Sequence, residues 1–237
     1  MNAKMKVLAL ALLGLAGYAG SAAASCPSSP VPPWSVNAPF QGTTAIVAGG
    51  LDGSACRLDS AVSAGASGFA SAQVEDDTPT AEPRYRAQFM VNVDALAAPT
   101  LTTVANVFSA TSSTTGNGIN LAIFGDGSGA WRVSYVIADA NNPSGFFAGS
   151  VPLPAGSKHV EFDLDVTGGN FSIWLENNVE ASPDVTQGGL NTATPIGGID
   201  SAFLGLAAPS DSFVATYAGT AAQFDRFDSR RSSFIGF

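Results

Sequence analysis

The chain has 237 residues, 46% of them hydrophobic and 12% charged, with 26 Gly, 14 Pro, one His and two Cys. That much apolar material can bury a sizeable core, which excludes a disordered chain, and glycine without a three-residue period excludes collagen. Acids outnumber bases 19 to 10, giving a formal net charge of −9. Such a surface repels phosphate backbones, so nucleic acid is not an expected partner.

Residues 1–24 read as an export signal. Lys4 and Lys6 supply a positive start, Val7–Ala16 an apolar stretch, and Ala22-Ala23-Ala24 small residues ahead of a cut before Ser25. The apolar run is shorter than the ~20 residues of a spanning helix. Cleavage is therefore expected rather than a membrane span, and the location is periplasmic, cell-surface or extracellular. Ala23-Ala24-Ser25-Cys26 also resembles a lipoprotein processing site, but it lacks the large aliphatic residue three positions before the cysteine, so simple secretion is preferred. Cys26 and Cys56 are an even count in an exported chain, which predicts one structural disulfide. It would pin a Pro-rich arm and disulfide loop, residues 25–61, to the β-sandwich of residues 62–237, the two forming one domain.

Beyond the arm, short runs of alternating polarity recur between turns rich in Gly, Asn, Asp, Ser and Pro. In Tyr85–Val93, the residues Tyr85, Ala87, Phe89, Val91 and Val93 share one face, and Arg84, Arg86, Gln88 and Asn92 lie opposite. Further strands are predicted at Val104–Ala110, Ile119–Phe124, Trp131–Ala138, Phe146–Val151, Lys158–Val166, Phe171–Asn177, Ala202–Ala207, Phe213–Tyr217 and Ala222–Asp228. No capped helical period stands out. The expected fold is all-β, an antiparallel two-sheet β-sandwich.

Two hairpins allow a closer reading. Placing Ile119, Leu121 and Ile123 with Trp131, Val133 and Tyr135 requires a loop of odd length, which makes Trp131 a core residue. In the second, a two-residue Gly168-Gly169 turn would set Val166 across from Phe171, Leu164 from Ile173 and Phe162 from Leu175. The other face then carries Asp165 opposite Ser172, Asp163 opposite Trp174 and Glu161 opposite Glu176, with His159 ending the row.

That row is the candidate site. Directly opposed carboxylates repel, so Glu161 and Glu176 call for a neighbouring Arg, a cation, a shared proton, or simply solvent around an outer face. Trp174 could stack on a sugar ring while Asp163, Glu161, Glu176 and His159 meet its hydroxyls. Alternatively Glu161, Asp163 and Glu176 could serve as glycosidase acids, since retaining enzymes hold two carboxyls ~5–5.5 Å apart. The acidic loop Glu75-Asp76-Asp77 is a weak candidate for calcium and otherwise a solvated turn. One His and two paired Cys argue against zinc, and no Gly-x-Ser-x-Gly elbow supports a serine hydrolase.

The order Lys158-His159-Val160-Glu161-Phe162, a short turn, then Phe171-Ser172-Ile173-Trp174-Leu175 resembles the paired central strands of concanavalin A-like jelly rolls, laminin-G-like domains among them. Glu82-Pro83-Arg84-Tyr85-Arg86-Ala87-Gln88-Phe89 is similar to an early strand of such domains in secreted bacterial proteins, and Phe224-Asp225-Arg226-Phe227-Asp228-Ser229-Arg230-Arg231 to their last. The resemblance runs from Val62 to the C-terminus. It implies a sandwich with a carbohydrate- or protein-binding role and in some members a calcium ion. Family 16 glycoside hydrolases share the architecture and carry Glu-x-Asp-x-x-Glu or Glu-x-Asp-x-Glu. Here Glu161-Phe162-Asp163-Leu164-Asp165 ends on a shorter acid, which argues against hydrolysis. The expectation is thus an exported, non-catalytic module for carbohydrate. A glycoside hydrolase or lyase using the carboxylates, and a structural surface protein, stand as alternatives.

Overall fold

The computed structural model describes Cys26 and residues 34–37, 39–230 and 233–236. The proposed leader and most of the Pro-rich run after Cys26 lie outside the described residues. In chain order the first half forms β1 (Val36–Asn37), β2 (Gly42–Ala48), β3 (Cys56–Val62), β4 (Ser71–Asp76), β5 (Arg84–Asn92), β6 (Val104–Thr111), β7 (Gly118–Gly125) and β8 (Trp131–Ala138). The second half forms β9 (Phe146–Leu153), β10 (Lys158–Asp165), β11 (Asn170–Leu175), β12 (Val185–Gln187), α1 (Ala193–Ile196), β13 (Ser201–Ala207), α2 (Asp211–Tyr217) and β14 (Ala222–Arg230).

These strands make two seven-stranded antiparallel sheets, ordered β1-β4-β13-β6-β7-β8-β9 and β12-β11-β10-β5-β14-β3-β2. The chain is the all-β two-sheet sandwich its alternation predicts. Inward positions of β5 (Tyr85, Ala87, Phe89, Val91) and β10 (Val160, Phe162, Leu164) are all at most 1% exposed. Aromatic pairs bridge the layers: Phe89 stacks on Phe108 at 5.6 Å, Phe162 lies 5.2 Å from Phe108, and Tyr135 lies 4.9 Å from Phe171. Each such pair adds about 0.5–1.5 kcal/mol beyond the area it buries.

The arm contributes strands of its own. β2 and β3 pair along their length at one edge of the second sheet, and β1 pairs with β4 in the first. A disulfide joins Cys26 to Cys56, and Trp34 packs on Phe227 with ring centroids 4.3 Å apart.

The β7–β8 hairpin follows the odd-loop argument. Leu121 pairs with Tyr135 and Ile123 with Val133 across a five-residue loop, and Trp131 is buried with its indole N–H donating to Leu96 O at 2.7 Å.

Phe213–Tyr217, expected as a strand, is the helix α2 instead. Ser210 caps it by accepting from Phe213 N at 3.2 Å. The buried residues Phe213, Val214 and Tyr217 then fall on one helical stripe. Two irregularities shape the sheets. At Gly205 in β13 the backbone takes φ +124, and a Cβ there would lie 2.2 Å from Ala72 O, so only glycine fits. In β14 the pairing with β5 jumps between Asp225 and Asp228 around Arg226 at φ +53, a bulge that returns Phe227 to the core side.

Candidate functional site

The polar row lies on the face of the second sheet that points away from the core. β10 runs between β5 and β11, which sets Glu161 against Gln88 and Trp174, Asp163 against Arg86 and Ser172, and Asp165 against Arg84 and Asn170. Cross-strand neighbours of opposite sign are therefore built in by register.

The expected pairing of Glu161 with Glu176 does not form. The connection after β10 is the four residues 166–169, not a diglycine turn, so the register slips by two and Trp174 takes the place opposite Glu161. The reason is local. Val166 N and Thr167 N both donate to Pro83 O, at 2.9 and 3.3 Å, and Asp165 Oδ1 accepts Gly168 N at 2.7 Å. These bonds hold Val166 and Thr167 to the adjacent strand rather than to a continued ladder. A slip of two preserves every residue's face, which is why the polar row survives. Glu176, at φ +55, ends the hairpin: its carboxylate accepts from His159 N and its own N–H donates to His159 O at 3.0 Å. Lys158 Nζ lies 3.7 Å from it.

Arg86 sits at the centre, 2% exposed. Its guanidinium lies 3.5 Å from Glu161, 3.2 Å from Asp163 and 3.0 Å from Glu180, and it stacks 5.0 Å from the Trp174 ring and 5.3 Å from that of Phe234. Glu161 additionally accepts Ile235 N on Oε1 and Gly236 N on Oε2, both at 3.0 Å. Both Glu161 oxygens are thus engaged by backbone donors beside the Arg86 guanidinium, and Glu176 lies apart at the end of the hairpin.

Trp174 is not an exposed platform. It is 3% exposed, its indole N–H donates to Glu180 O at 3.3 Å, and Phe234 meets it edge-on with centroids 5.5 Å apart. The nearby Glu180 and the distant Phe234 cover a position that alternation alone assigns to solvent. His159 is 8% exposed; burial pushes its imidazole below the ordinary 6.5, opposed by the nearby Glu176 carboxylate.

Glu75, Asp76 and Asp77 do not converge on a cation. Asp76 is buried and turns back on its own chain, accepting Thr78 N at 3.0 Å and Thr78 Oγ1 at 2.6 Å. Burial, then the Asp77 charge, raises the Glu75 carboxyl above its usual range. Among the described residues no cluster of three or more His, Cys, Asp or Glu is spaced for a metal ion.

What remains open lies beside the network. A shallow depression of about 320 Å³ is lined by Arg84, Asp163, Asp165, Asn170, Phe171 and Ser172. Arg84 grips Asp163 in a two-point contact, with Nε 2.9 Å from Oδ1 and the second bond from NH2 to Oδ2. This bond raises the Arg84 pKa further. Ser172 Oγ lies 2.6 Å from Thr186 Oγ1. The sequence placed Arg84 and Arg86 on the polar face of their strand. It did not identify them as site residues, nor Glu180 and the 233–236 segment, whose contacts arise only from the tertiary fold.

No family model matches the chain, and no curated protein matches it. Solved structures do. An endo-β-1,4-glucuronan lyase from the fungus Trichoderma reesei superposes with TM-score 0.60 at 13% identity, covering 88% of this chain and 95% of that one. An alginate lyase from Klebsiella pneumoniae superposes with TM-score 0.50 at 9% identity, covering 83% and 86%. The architecture is that of the concanavalin A-like jelly-roll sandwiches, the fold class the strand order resembled. At these identities the likeness is one of fold.

Proposed function

We propose that the protein is an exported carbohydrate-binding jelly roll that reads sugar hydroxyls and carboxylates in the depression beside Arg84. The observation that carries this reading is the depression itself. It gathers a guanidinium, two carboxylates, an amide and a hydroxyl within one shallow site, and Arg84 is held in place by Asp163 while its side chain stays 40% exposed. Fixed polar groups of both signs suit a polyhydroxylated ligand, because little ordering is left to be done on binding. The ion-paired state of Glu161 and Asp163 favours binding without turnover. Isothermal calorimetry against polyglucuronate, alginate and a neutral β-glucan tests it. Arg84→Ala should weaken binding by about tenfold or more, the worth of one charge-assisted contact. Equal affinity in the variant would sink the proposal.

A second reading is a polysaccharide lyase acting on uronate polymers. It is favoured by the extent of the superposition on the glucuronan lyase, which spans nearly the whole of that chain. Ultraviolet absorbance of unsaturated chain ends, appearing with the protein and disappearing in Asp163→Asn, would establish it over simple binding.

A further inference from the structure

We propose that Ser233–Gly236 is a displaceable lid that occupies the continuation of the carbohydrate site; this rests on the carbohydrate reading above. The segment belongs to neither sheet, yet it covers three groups that the register of β5, β10 and β11 turns outward: Arg86, Glu161 and Trp174, none more than 3% exposed. Its grip is small and specific. Phe234 lays its ring beside Trp174 and the Arg86 guanidinium. Two successive backbone donors, Ile235 N and Gly236 N, go one to each oxygen of Glu161. Arg230 NH1 donates to Phe234 O at 3.4 Å.

These are the contacts a pyranose makes. A ring face stacks on an aromatic and guanidinium surface while two adjacent hydroxyls donate to one carboxylate in a two-point bond. The segment thus presents the same chemistry as a sugar residue, one apolar face and two neighbouring donors. The covered place is continuous with the open depression, because Asp163 bonds both Arg84, which lines the depression, and Arg86, which lies under the segment. With the lid closed the site offers a polymer one position; with it lifted the same polymer gains the Trp174 surface and the Glu161 oxygens.

Two variants test this without depending on each other's folding. One chain ends at Arg230. The other is full length with Gly236→Val: Gly236 sits at φ +68, and a Cβ there would fall 2.5 Å from Asn178 Oδ1, so a branched residue disfavours docking while the sheets keep their sequence. Affinity for polyglucuronate, alginate and a neutral β-glucan is measured for both and for the intact chain. A synthetic peptide of residues 231–237 is titrated into each, followed by tryptophan fluorescence. Both variants should bind at least one polymer about tenfold tighter than the intact chain, the ratio for a lid closed about nine-tenths of the time. The peptide should bind the truncated chain, displace the polymer from it, and leave the intact chain unaffected. Equal polymer affinity in all three proteins, or a peptide that fails to bind the truncated chain, overturns the lid. Peptide binding without any polymer binding keeps a displaceable segment but overturns the carbohydrate reading and with it the proposed ligand.

Discussion

Arg86→Met is the most informative single change to the buried network. The substitution keeps an unbranched stem in the slot between Trp174 and Phe234 but removes the cation that faces Glu161, Asp163 and Glu180. Removing one partner of a buried ion pair costs about 3–5 kcal/mol, since the remaining charge is left uncompensated. The structure places the expected loss at the lower end, near 3 kcal/mol. Asp163 keeps its two-point contact with Arg84, Glu161 keeps two backbone donors, and Glu180 is 62% exposed and simply rehydrates. For a domain of this size that corresponds to a fall in Tm of roughly 6–12 °C, read by calorimetry and cross-checked by urea unfolding. Adding Glu161→Gln to the same chain removes one stranded charge and should recover about 1–2 kcal/mol, whereas Glu161→Gln alone should destabilise. A fall of no more than about 2 °C, or a double variant no better than the single, would refute the argument that Arg86 compensates buried carboxylates.

Reduction of Cys26–Cys56, which spans a sequence separation of 30, should cost about 3–4 kcal/mol by loop entropy, seen as a lower midpoint in urea with reductant than without. His159 gives a pH dependence with a definite sign. Burial depresses its folded pKa below 6.5, so its contribution is whole above that value and is lost as the pH falls through 6.5 toward the folded pKa. His159→Gln should flatten this part of the stability–pH curve; a curve unchanged in shape would show that the imidazole is as easily protonated folded as unfolded.

The core was legible because its signal is local. Trp131–Ala138 alternates cleanly and is β8 end to end, and β5 and β10 bury the residues their periodicity assigns inward. β2 was invisible: its residues are intermediate or exposed throughout, so no buried face marks it. α2 was lost because about two turns carrying Phe213, Val214 and Tyr217 are too short to separate helix from strand by period, although Ser210 and Asp211 mark its start. At the site, the residue types and the outward face were readable, but the register was not. It is set by Pro83 O, over 80 positions away in the chain from Val166. Nor could the burial of Trp174 be read from β11, because what covers it comes from residue 180 and from 233–236.

The extra residue in β14 has a reach beyond its own strand. Alternation carried straight through from Phe224 would point Phe227 outward, away from Trp34 and Phe108. The kink at Arg226 resets the phase, and everything after it inherits the reset. Straightening that kink while keeping every residue would therefore rotate the strand's final third by half a turn, strand the Phe227 ring in water and aim the terminal stretch away from Glu161, whereas deleting Arg226 outright would leave Phe227 on the core side. A phase error seven residues upstream would uncap the acidic row without altering any side chain within it.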